Sequence, residues 1–193
     1  VDLCAAPGGK TAQLILAGGS VTAIDQSESR LKRLRSNLDR LALKAETLAT
    51  DLMKYQPTEL FDAILLDAPC SSTGTTRRHP DVLWTKGPED IAKLAGVQER
   101  LLRHALTLLK TGGTLAFSNC SLDPVEGEDV VSRILADTPN VERVRVDAAR
   151  WPGLEMAIGP LGEFRTTPAM LRMPPTVASG LDGFYAAVLR RVA

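Results

Sequence analysis

The sequence predicts a doubly wound α/β domain, in which helices cover both faces of a mainly parallel β-sheet. Short apolar runs that are typical of buried strands alternate with longer segments in which leucine recurs at helical spacing. Glycine pairs follow two of the predicted helices, at residues 18–19 and 112–113, where they would end a helix. Because strands that alternate with helices build sheets of this kind, we expect a single domain over residues 1–193.

The composition of the 193 residues is ordinary for a globular domain, with 44% hydrophobic and 24% charged residues. No apolar run is long enough to predict a membrane span, so we expect no membrane partner. The formal net charge is zero. The total therefore does not indicate nucleic-acid binding, although a neutral total can hide a basic patch. Three cysteines, an odd number, favour free thiols in a reducing compartment such as the cytoplasm over a disulfide framework.

Residues 1–3 predict the end of a buried strand, so we expect that an N-terminal part of a longer protein precedes them. A loop of small residues, Cys4 to Lys10, then leads to a helix predicted over residues 11–17. Such a turn can cradle a ligand, because its backbone N–H groups are bare and the helix N-terminus is electropositive. The dinucleotide pattern G-x-G-x-x-G is absent, and Cys4 stands where a P-loop needs glycine. A plain strand-to-helix turn stays open as an alternative.

The next three predicted strands are each followed by an aspartate. The strands are predicted over residues 20–24, 46–50 and 61–66, and the aspartates are Asp25, Asp51 and Asp67. Since ligands bind outside the carboxyl ends of parallel strands, these carboxylates are candidate binding residues. Asp25 suits a ribose diol, whose two hydroxyl groups can donate to one carboxylate, while entry into the next helix is an equal alternative. The series suits a cofactor that carries a ribose, an adenine and an ammonium group.

The helix after Asp25 has an apolar face and a basic face. Ser27 is expected to cap its N-terminus. The apolar residues are Leu31, Leu34, Leu38 and Leu41, and the basic residues are Arg30, Lys32, Arg33, Arg35 and Arg40. We interpret the basic face as solvated, with a binding site as the alternative.

Two cysteines follow two of the predicted strands. Cys70 comes three residues after Asp67, and Cys120 directly follows a strand predicted over residues 114–119. Because the carboxyl ends of parallel strands share one edge of the sheet, both thiols can face the same crevice. A buried, inert thiol is the usual role of a single cysteine, and we apply that interpretation to the side chain of Cys4.

The rest of the chain completes the pattern of helices, loops and strands. A polar loop over residues 71–81, with adjacent arginines, a histidine and the nearby Trp84, suits phosphate contact and base stacking, and a structural loop is an equal alternative. His104, on a helix predicted over residues 88–110, is interpreted as structural or exposed. Further elements are a helix opening at residues 123–124, strands over residues 141–146 and 184–189, and loops over residues 151–180.

Several stretches of the sequence resemble motifs of the RNA 5-methylcytosine methyltransferases. Residues 2–11, DLCAAPGGKT, resemble motif I, and residues 67–71, DAPCS, resemble motif IV. Asn119-Cys120-Ser121 is similar to motif VI, in which threonine more often precedes the cysteine, and residues 182–185 resemble the C-terminal strand motif. Arg77-Arg78-His79-Pro80-Asp81 with Trp84 is most similar to the RsmB (Sun/Fmu) branch, whose members modify small-subunit ribosomal RNA.

The resemblance implies a Rossmann-like class I methyltransferase fold with a mixed seven-stranded sheet. It implies S-adenosyl-L-methionine as the cofactor, 16S ribosomal RNA as the partner, and no metal. It also implies an RNA-binding N-terminal part outside the catalytic domain of residues 1–193. In this reading Asp25 lies at the ribose, Asp51 near the adenine, and Asp67 near the methionine end and the cytosine. The residues implied to bind the cofactor are Cys4, Ala5, Ala6, Pro7, Gly8, Gly9, Lys10, Asp25, Arg30, Asp51 and Asp67.

The implied chemistry explains why two thiols are present. C5 of cytosine is a poor nucleophile, and a thiolate that adds to C6 makes C5 reactive toward an electrophilic methyl group. The resemblance assigns this attack to Cys120 and product release to Cys70, with Asp67 as the third catalytic residue. DNA cytosine methyltransferases attack with a Pro-Cys similar to residues 69–70, so spacing alone leaves the choice open. The alternatives are a nitrogen methyltransferase, another RNA substrate such as tRNA or 23S rRNA, and a non-catalytic RNA-binding module.

Overall fold

One mixed sheet of eight strands organises the fold in the computed structural model, which describes residues 1–170 and 180–192. The strands are β1 (Asp2–Leu3), β2 (Thr22–Asp25), β3 (Glu46–Ala49), β4 (Phe61–Asp67), β5 (Leu109–Asn119), β6 (Val141–Val144), β7 (Phe164–Thr166) and β8 (Phe184–Arg191). The α-helices are α1 (Gly9–Leu16), α2 (Glu28–Arg40), α3 (Val82–Thr85), α4 (Pro88–Thr107) and α5 (Glu128–Asp137).

The strand order across the sheet is β3-β2-β1-β4-β5-β8-β6. The first five strands run parallel, β8 runs antiparallel to β5 and β6, and the short β7 pairs antiparallel with β8. The winding reverses at β1, which lies between β2 and β4, and a ligand crevice is expected at such a point. The predicted doubly wound α/β fold with a mixed sheet is confirmed, and one short strand is added to the seven expected.

The added strand, β7, corrects the prediction of loops over residues 151–180. It pairs with the first part of β8, from Phe184 to Ala186, whereas β6 pairs with the second part of β8. Without β7, the first part of β8 would present an unpaired edge, and the backbone groups of such an edge favour a pairing partner. Residues 171–179 of the predicted loop lie outside the described residues.

Two apolar clusters cover opposite faces of the sheet. Ala23 of β2 belongs to the cluster that contains α2, and its neighbour Ile24 belongs to the cluster that contains α4 and α5. Side chains alternate between the two faces along a strand, so helices pack on both faces. Leu34 of α2 and Leu102 of α4 are both fully buried, and burying each side chain contributes about 1.5–3 kcal/mol.

Two side chains outside the core have the roles that the sequence predicts. Ser27 caps α2, because its hydroxyl accepts a hydrogen bond from the N–H of Arg30 at 3.3 Å. His104 is structural, with its Nε2 atom 3.1 Å from the carbonyl oxygen of Tyr55. The ring joins α4 to the segment that precedes β4.

The predicted end of the longest helix is wrong. The glycine pair at residues 112–113 was expected to end it, but α4 ends at Thr107 and β5 begins at Leu109. Leu109 is fully buried and pairs with Phe61 of β4, ahead of a register shift in this strand pair. Burial of Leu109 in the sheet therefore overrides the glycine signal, and the glycines lie within the strand.

Candidate active site

Two adjoining cavities lie at the carboxyl ends of the parallel strands. The loop cavity, of about 340 Å³, is bounded by the loop after β1, by Lys10 and by Asp67 at the end of β4. The strand-end cavity, of about 220 Å³, is bounded by Asp25, by Asp51 and by residues of α4. Cys4 lines both cavities. They occupy the place where an open α/β sheet binds its ligand, at the reversal of winding.

A larger cavity, of about 410 Å³, opens elsewhere, among residues of β4 and β5 that precede the carboxyl ends of these strands. Its lining includes Val1, Phe61 and Thr114 but none of the predicted site residues. Because the predicted groups gather around the other two cavities, we place the candidate site there in spite of their smaller volumes.

Left-handed backbone conformations shape the loop after β1. Cys4 has a φ of 63° and Gly8 a φ of 99°. A Cβ atom added to Gly8 would lie 2.8 Å from Cγ of Leu34, so this position needs glycine. The other six residues of the predicted cofactor loop line the loop cavity, namely Cys4, Ala5, Ala6, Pro7, Gly9 and Lys10. Gly8 is predicted to bind the cofactor, but it serves the turn and is not among the lining residues.

The thiol of Cys4 is unsuited to nucleophilic chemistry. Burial raises the pKa of Cys4 to about 12, and the nearby carboxylates of Asp25 and Asp67 add to this effect. The thiol therefore stays protonated at neutral pH. This agrees with the interpretation of Cys4 as a structural thiol in the loop.

The carboxylate of Asp25 is largely engaged by the protein itself. Its Oδ2 atom accepts from the N–H of Ala6 at 3.2 Å and lies 3.3 Å from the guanidinium group of Arg30. Its Oδ1 atom accepts from the N–H of Ser27 at 2.9 Å. Arg30 also donates to the carbonyl oxygen of Ala6 at 2.6 Å. Asp25 thus lies in the wall of the strand-end cavity and also fixes the loop after β1.

Arg30 departs from the solvated role assigned to the basic face of α2. Its side chain reaches the loop after β1, and it lines neither the loop cavity nor the strand-end cavity. Arg35, on the same helix, pairs with Glu28 at 2.6 Å and donates to the hydroxyl of Thr47 at 2.8 Å. The contacts of Arg30 indicate that it orients Asp25 and Ala6 instead of lining either cavity itself.

Asp51, which is predicted to lie near the adenine, is in the wall of the strand-end cavity. Its Oδ1 atom accepts from the N–H of Met53 at 3.0 Å and so caps a short 3-10 turn. Sequence reasoning missed the apolar part of this wall, which comes from Leu52, Val97 and Leu101. Val97 and Leu101 lie on α4, and nothing in their spacing distinguishes a cavity wall from the core.

Asp67 is held by contacts to both of its oxygen atoms. Oδ2 accepts from Nζ of Lys10 at 2.6 Å, and Oδ1 accepts from the hydroxyl of Ser118 at 2.8 Å. The Lys10 ammonium group also lies 5.4 Å from the ring centre of Phe184, within the range of a cation–π contact. The carboxylate is partly exposed at the rim of the loop cavity, where a ligand can reach it.

The thiols of Cys70 and Cys120 meet, as the strand-end argument predicts. Their sulfur atoms are 3.5 Å apart, and no disulfide joins them. The hydroxyl of Ser72 lies 3.5 Å from the sulfur of Cys120 and 3.9 Å from that of Cys70. Both side chains are partly exposed, so a substrate can approach the pair.

The surroundings make the two thiols chemically different. The hydrogen bond from the Cys70 thiol, assisted by the Ser72 hydroxyl, lowers the pKa of Cys120 below its ordinary value, although burial opposes this effect. The same contact, with burial, raises the pKa of Cys70. Arg78 adds a positive charge that interacts with Cys120, and the negative charge of Asp67 opposes ionisation. Cys120 is therefore the thiol favoured in the reactive thiolate form.

The loop after Cys70 is tied to the start of β8. Arg77 donates to Oδ1 of Asp182 at 3.3 Å, and Arg78 donates to Oδ2 of the same residue at 2.7 Å. These contacts support the structural interpretation of the arginine pair. Trp84, in contrast, is 89% exposed and remains available for contact with a partner.

Two buried polar residues near the thiols were missed at the sequence level. Gln98 and Glu126 are both fully buried, and Gln98 donates to one carboxylate oxygen of Glu126 at 3.0 Å. Gln98 interrupts the apolar stripe of α4 between Leu94 and Leu101, and this break in the pattern was the available signal.

Residues 1–170 and 180–192 contain neither a membrane-spanning helix nor a metal-binding cluster. None of the helices in this part of the chain combines the length and the apolar character needed to cross a bilayer. In the same part of the chain, no three His, Cys, Asp or Glu side chains are grouped so that they could hold a metal ion.

The fold and the strand-end site define a class I methyltransferase domain. NSun6 from Pyrococcus horikoshii, solved with SFG, is 29% identical and superposes with a TM-score of 0.80 over 100% of this chain and 47% of its own. A methyltransferase homolog protein from Pyrococcus horikoshii is 32% identical, with a TM-score of 0.74 over 99% of this chain and 61% of its own. A family model described as "16S rRNA methyltransferase RsmB/F" matches residues 1–190. The chain belongs to this family.

Curated relatives agree with this membership. Ribosomal RNA small subunit methyltransferase B of Vibrio cholerae is 40% identical over 196 aligned residues, which cover 99% of this chain and 41% of the relative. The protein of the same name from Pseudomonas putida is 39% identical over 199 aligned residues, which cover 100% of this chain and 42% of the relative. The chain thus spans about two fifths of the length of these relatives. The resemblance stated from the motifs is confirmed at the level of the family.

Proposed function

We propose that this chain is the catalytic domain of an enzyme that methylates C5 of a cytosine in 16S ribosomal RNA. The observation that carries the proposal is the pair of free thiols, Cys70 and Cys120, with sulfur atoms 3.5 Å apart at the crevice edge of the sheet. Neither a nitrogen methyltransferase nor a non-catalytic RNA-binding module has a use for two adjacent thiols of unequal pKa. A different RNA, such as tRNA or 23S rRNA, is the alternative substrate.

The residues around the loop cavity fit S-adenosylmethionine. Asp2 is 1% exposed, lines this cavity, and has one carboxylate oxygen with no hydrogen-bond partner among the described residues. An unpartnered buried oxygen suits a cationic or hydrogen-bond-donating ligand, and the cofactor carries an ammonium group. In the proposal the loop from Cys4 to Lys10 holds the methionine end, and Asp25 and Asp51 hold the nucleoside. When bound, the cofactor supplies an electrophilic methyl group.

The chain's own residues then carry out the covalent chemistry. The Cys120 thiolate forms a bond to C6 of the cytosine, and the electron pair displaced from the C5–C6 double bond makes C5 nucleophilic. After C5 is methylated, a base removes the C5 proton, the double bond re-forms, and the bond from Cys120 to C6 breaks. We assign this release step to Cys70, whose sulfur touches that of Cys120. Asp67 orients the cytosine from the rim of the loop cavity.

The family and the names of the relatives support 16S ribosomal RNA as the partner and the cytoplasm as the location. The relatives named ribosomal RNA small subunit methyltransferase B are more than twice as long as this chain, so other parts of those proteins are available for RNA contact. Within this chain, the exposed Trp84 offers a surface for base stacking.

The proposal is tested by incubating the chain, in excess, with unmethylated 16S rRNA and S-adenosylmethionine, followed by nucleoside mass spectrometry. We expect 5-methylcytosine with the unaltered chain and none with Cys120→Ala. With Cys70→Ala, a covalent protein–RNA species should accumulate on a denaturing gel, because attack occurs and release fails. The double variant should form no such species.

The opposite result would reverse the assignment. A covalent species found with Cys120→Ala alone would make Cys70 the attacking thiol. Methyl groups on a nitrogen atom would establish the nitrogen methyltransferase alternative. Failure to bind S-adenosylmethionine in calorimetry would favour the non-catalytic module.

A further inference from the structure

Glu126 is fully buried beside the loops that carry the two thiols. It ends a short 3-10 turn, Pro124–Glu126, which follows the Cys120 loop and precedes α5. A carboxylate without exposure is costly unless its oxygen atoms are hydrogen-bonded. The partners of Glu126 therefore indicate what its burial achieves.

The side chain of Glu126 holds the residues on both sides of Cys70. Its Oε1 atom accepts from the N–H of Ser71 at 2.9 Å and from Nε2 of Gln98 at 3.0 Å. Its Oε2 atom accepts from the hydroxyl of Ser71. Gln98 also donates to the carbonyl oxygen of Pro69 at 3.0 Å. The carboxylate thus fixes Ser71 directly and Pro69 through Gln98.

The main chain of Glu126 holds Asn119, on one side of Cys120, and through it Ser121 on the other side. Its carbonyl oxygen accepts from the side-chain amide of Asn119. The amide oxygen of Asn119 in turn accepts from the N–H of Ser121 at 3.0 Å. The hydroxyls of Ser71 and Ser121 lie 3.2 Å apart and join the two loops. The side chain and the main chain of one residue therefore engage the flanks of both thiols.

We propose that Glu126 is a positioning residue that keeps the sulfur atoms of Cys70 and Cys120 within hydrogen-bond distance. Its hydrogen bonds are made to the neighbours of the two cysteines and to Gln98, not to the sulfur atoms. At a sulfur–sulfur distance of 3.5 Å, a displacement of either loop by about 1 Å would remove the contact, and shifts of this size can cost about 100-fold in catalysis. The inference rests on the proposed function for the catalytic roles of the two thiols, whereas the positioning itself rests on the hydrogen bonds described above.

The test measures thiol geometry without RNA or cofactor. The rate at which iodoacetamide alkylates Cys120 is followed from pH 5 to pH 10 by mass spectrometry of the Cys120 peptide. The groups that face Cys120 are Cys70, Ser72, Asp67 and Arg78, and none of these four residues is substituted in the variants. We expect Glu126→Ala to move the midpoint of the profile upward by about one pH unit or more, a tenfold change in ionisation. The reason is that Cys70 no longer donates to Cys120.

Glu126→Gln should keep a profile close to that of the unaltered chain. Its amide oxygen can still accept from Ser71 and Gln98, and its NH₂ group can donate to the Ser71 hydroxyl. The matched control is Glu163→Ala. Glu163 is 5% exposed and pairs with Arg143 at 3.1 Å, outside the two thiol loops. This variant should leave the Cys120 profile unchanged, whatever it does to stability.

A second variant covers the case in which Glu126→Ala does not fold. Gln98→Met removes the link to Pro69 with little change of volume, and we expect a smaller upward shift in the same direction. A folded Glu126→Ala protein with an unchanged Cys120 profile would overturn the proposal, as would an equal shift in Glu163→Ala. If Glu126→Ala is unfolded, an unchanged profile in Gln98→Met overturns it. Absence of methylation by the unaltered chain would contradict the proposed function alone. The alkylation profiles are measured without RNA or cofactor, so they would still test whether Glu126 positions the two thiols.

Discussion

The carboxylate of Asp2 is expected to reduce the stability of the folded chain at neutral pH. Its Oδ2 atom accepts from the hydroxyl of Thr11 at 2.5 Å, while Oδ1 lacks a partner among the described residues. Burial raises the pKa of Asp2 from the ordinary 3.8 to about 6. A shift of about two units corresponds to about 3 kcal/mol against the charged form in the folded state. Asp2→Asn removes this cost. The buried N–H groups of the asparagine amide lack partners, which destabilises the variant by about 1–2 kcal/mol and offsets part of the gain.

The predicted gain depends on pH, with a sign that follows from the raised pKa. Below pH 3.8 Asp2 is protonated in both the folded and unfolded states, so the charge imposes no penalty. Between pH 3.8 and pH 6 the unfolded state releases its proton first and the penalty grows, and above pH 6 the penalty is complete. We therefore expect Asp2→Asn to be more stable than the unaltered chain by about 1–2 kcal/mol at pH 7.5, and to lose this advantage near pH 4.

Urea unfolding at pH 7.5 and pH 4 measures this difference directly. Asp39→Asn is the matched control, because Asp39 is exposed on α2 and its replacement should change stability by less than about 0.5 kcal/mol at either pH. A difference between Asp2→Asn and the unaltered chain that is the same at both pH values would refute the reasoning. A loss of stability in Asp2→Asn that is confined to pH 7.5 would refute it as well.

Three further predictions concern the site and its support. Asp25→Ala should weaken binding of S-adenosylmethionine by about tenfold or more and lower the free energy of unfolding by about 1–3 kcal/mol, because the N–H groups of Ala6 and Ser27 lose their acceptor. Calorimetry measures the affinity and urea unfolding measures the stability. An unchanged affinity would remove Asp25 from the site. Gly74→Ala should lower the free energy of unfolding by about 1–3 kcal/mol in urea, because its Cβ would overlap the carbonyl oxygen of Gly183. Gly96→Ala on α4, whose Cβ would make only an ordinary contact with the Arg100 side chain at 3.7 Å, should be neutral or stabilising in the same experiment. The chain by itself should bind RNA weakly, because its net charge is zero and RNA affinity depends on positive charge that neutralises phosphates. Filter binding at about 150 mM salt measures this, and a Kd below about 1 μM would contradict the expectation.

The fold could be predicted because its signals are local. Apolar runs, capping residues such as Ser27 and leucines at helical spacing each act over a few residues, and together they determine the order of strands and helices. β7 was missed because it forms only by pairing with β8, which begins about twenty residues further along the chain. The end of α4 was missed because the burial of Leu109 in the sheet outweighed the nearby glycines.

The site was predictable to the extent that strand ends define it. The rule that parallel strands present their carboxyl ends to one crevice brings Cys70 and Cys120 together, although 50 residues separate them in sequence. The rule does not say which groups the protein uses for itself. Asp25 was predicted to contact a ribose, and the structure shows its oxygens engaged by Ala6, Ser27 and Arg30. Such contacts depend on loop paths that sequence patterns do not specify.

The place of β8 in the sheet has a consequence for how the protein is made. Of the eight described strands β8 is synthesised last, yet it lies between β5 and β6 and also pairs with β7. Until it emerges, β5 has an open edge and β6 and β7 have no strand to join. The N–H of Gly183, just before β8, donates to the carbonyl oxygen of Gly74. The N–H of Gly74 donates in turn to the carbonyl oxygen of Cys120. A growing chain therefore gains the support of Gly183 behind the Cys70 loop, and completes this part of the sheet, only after residues 183–191 have been translated.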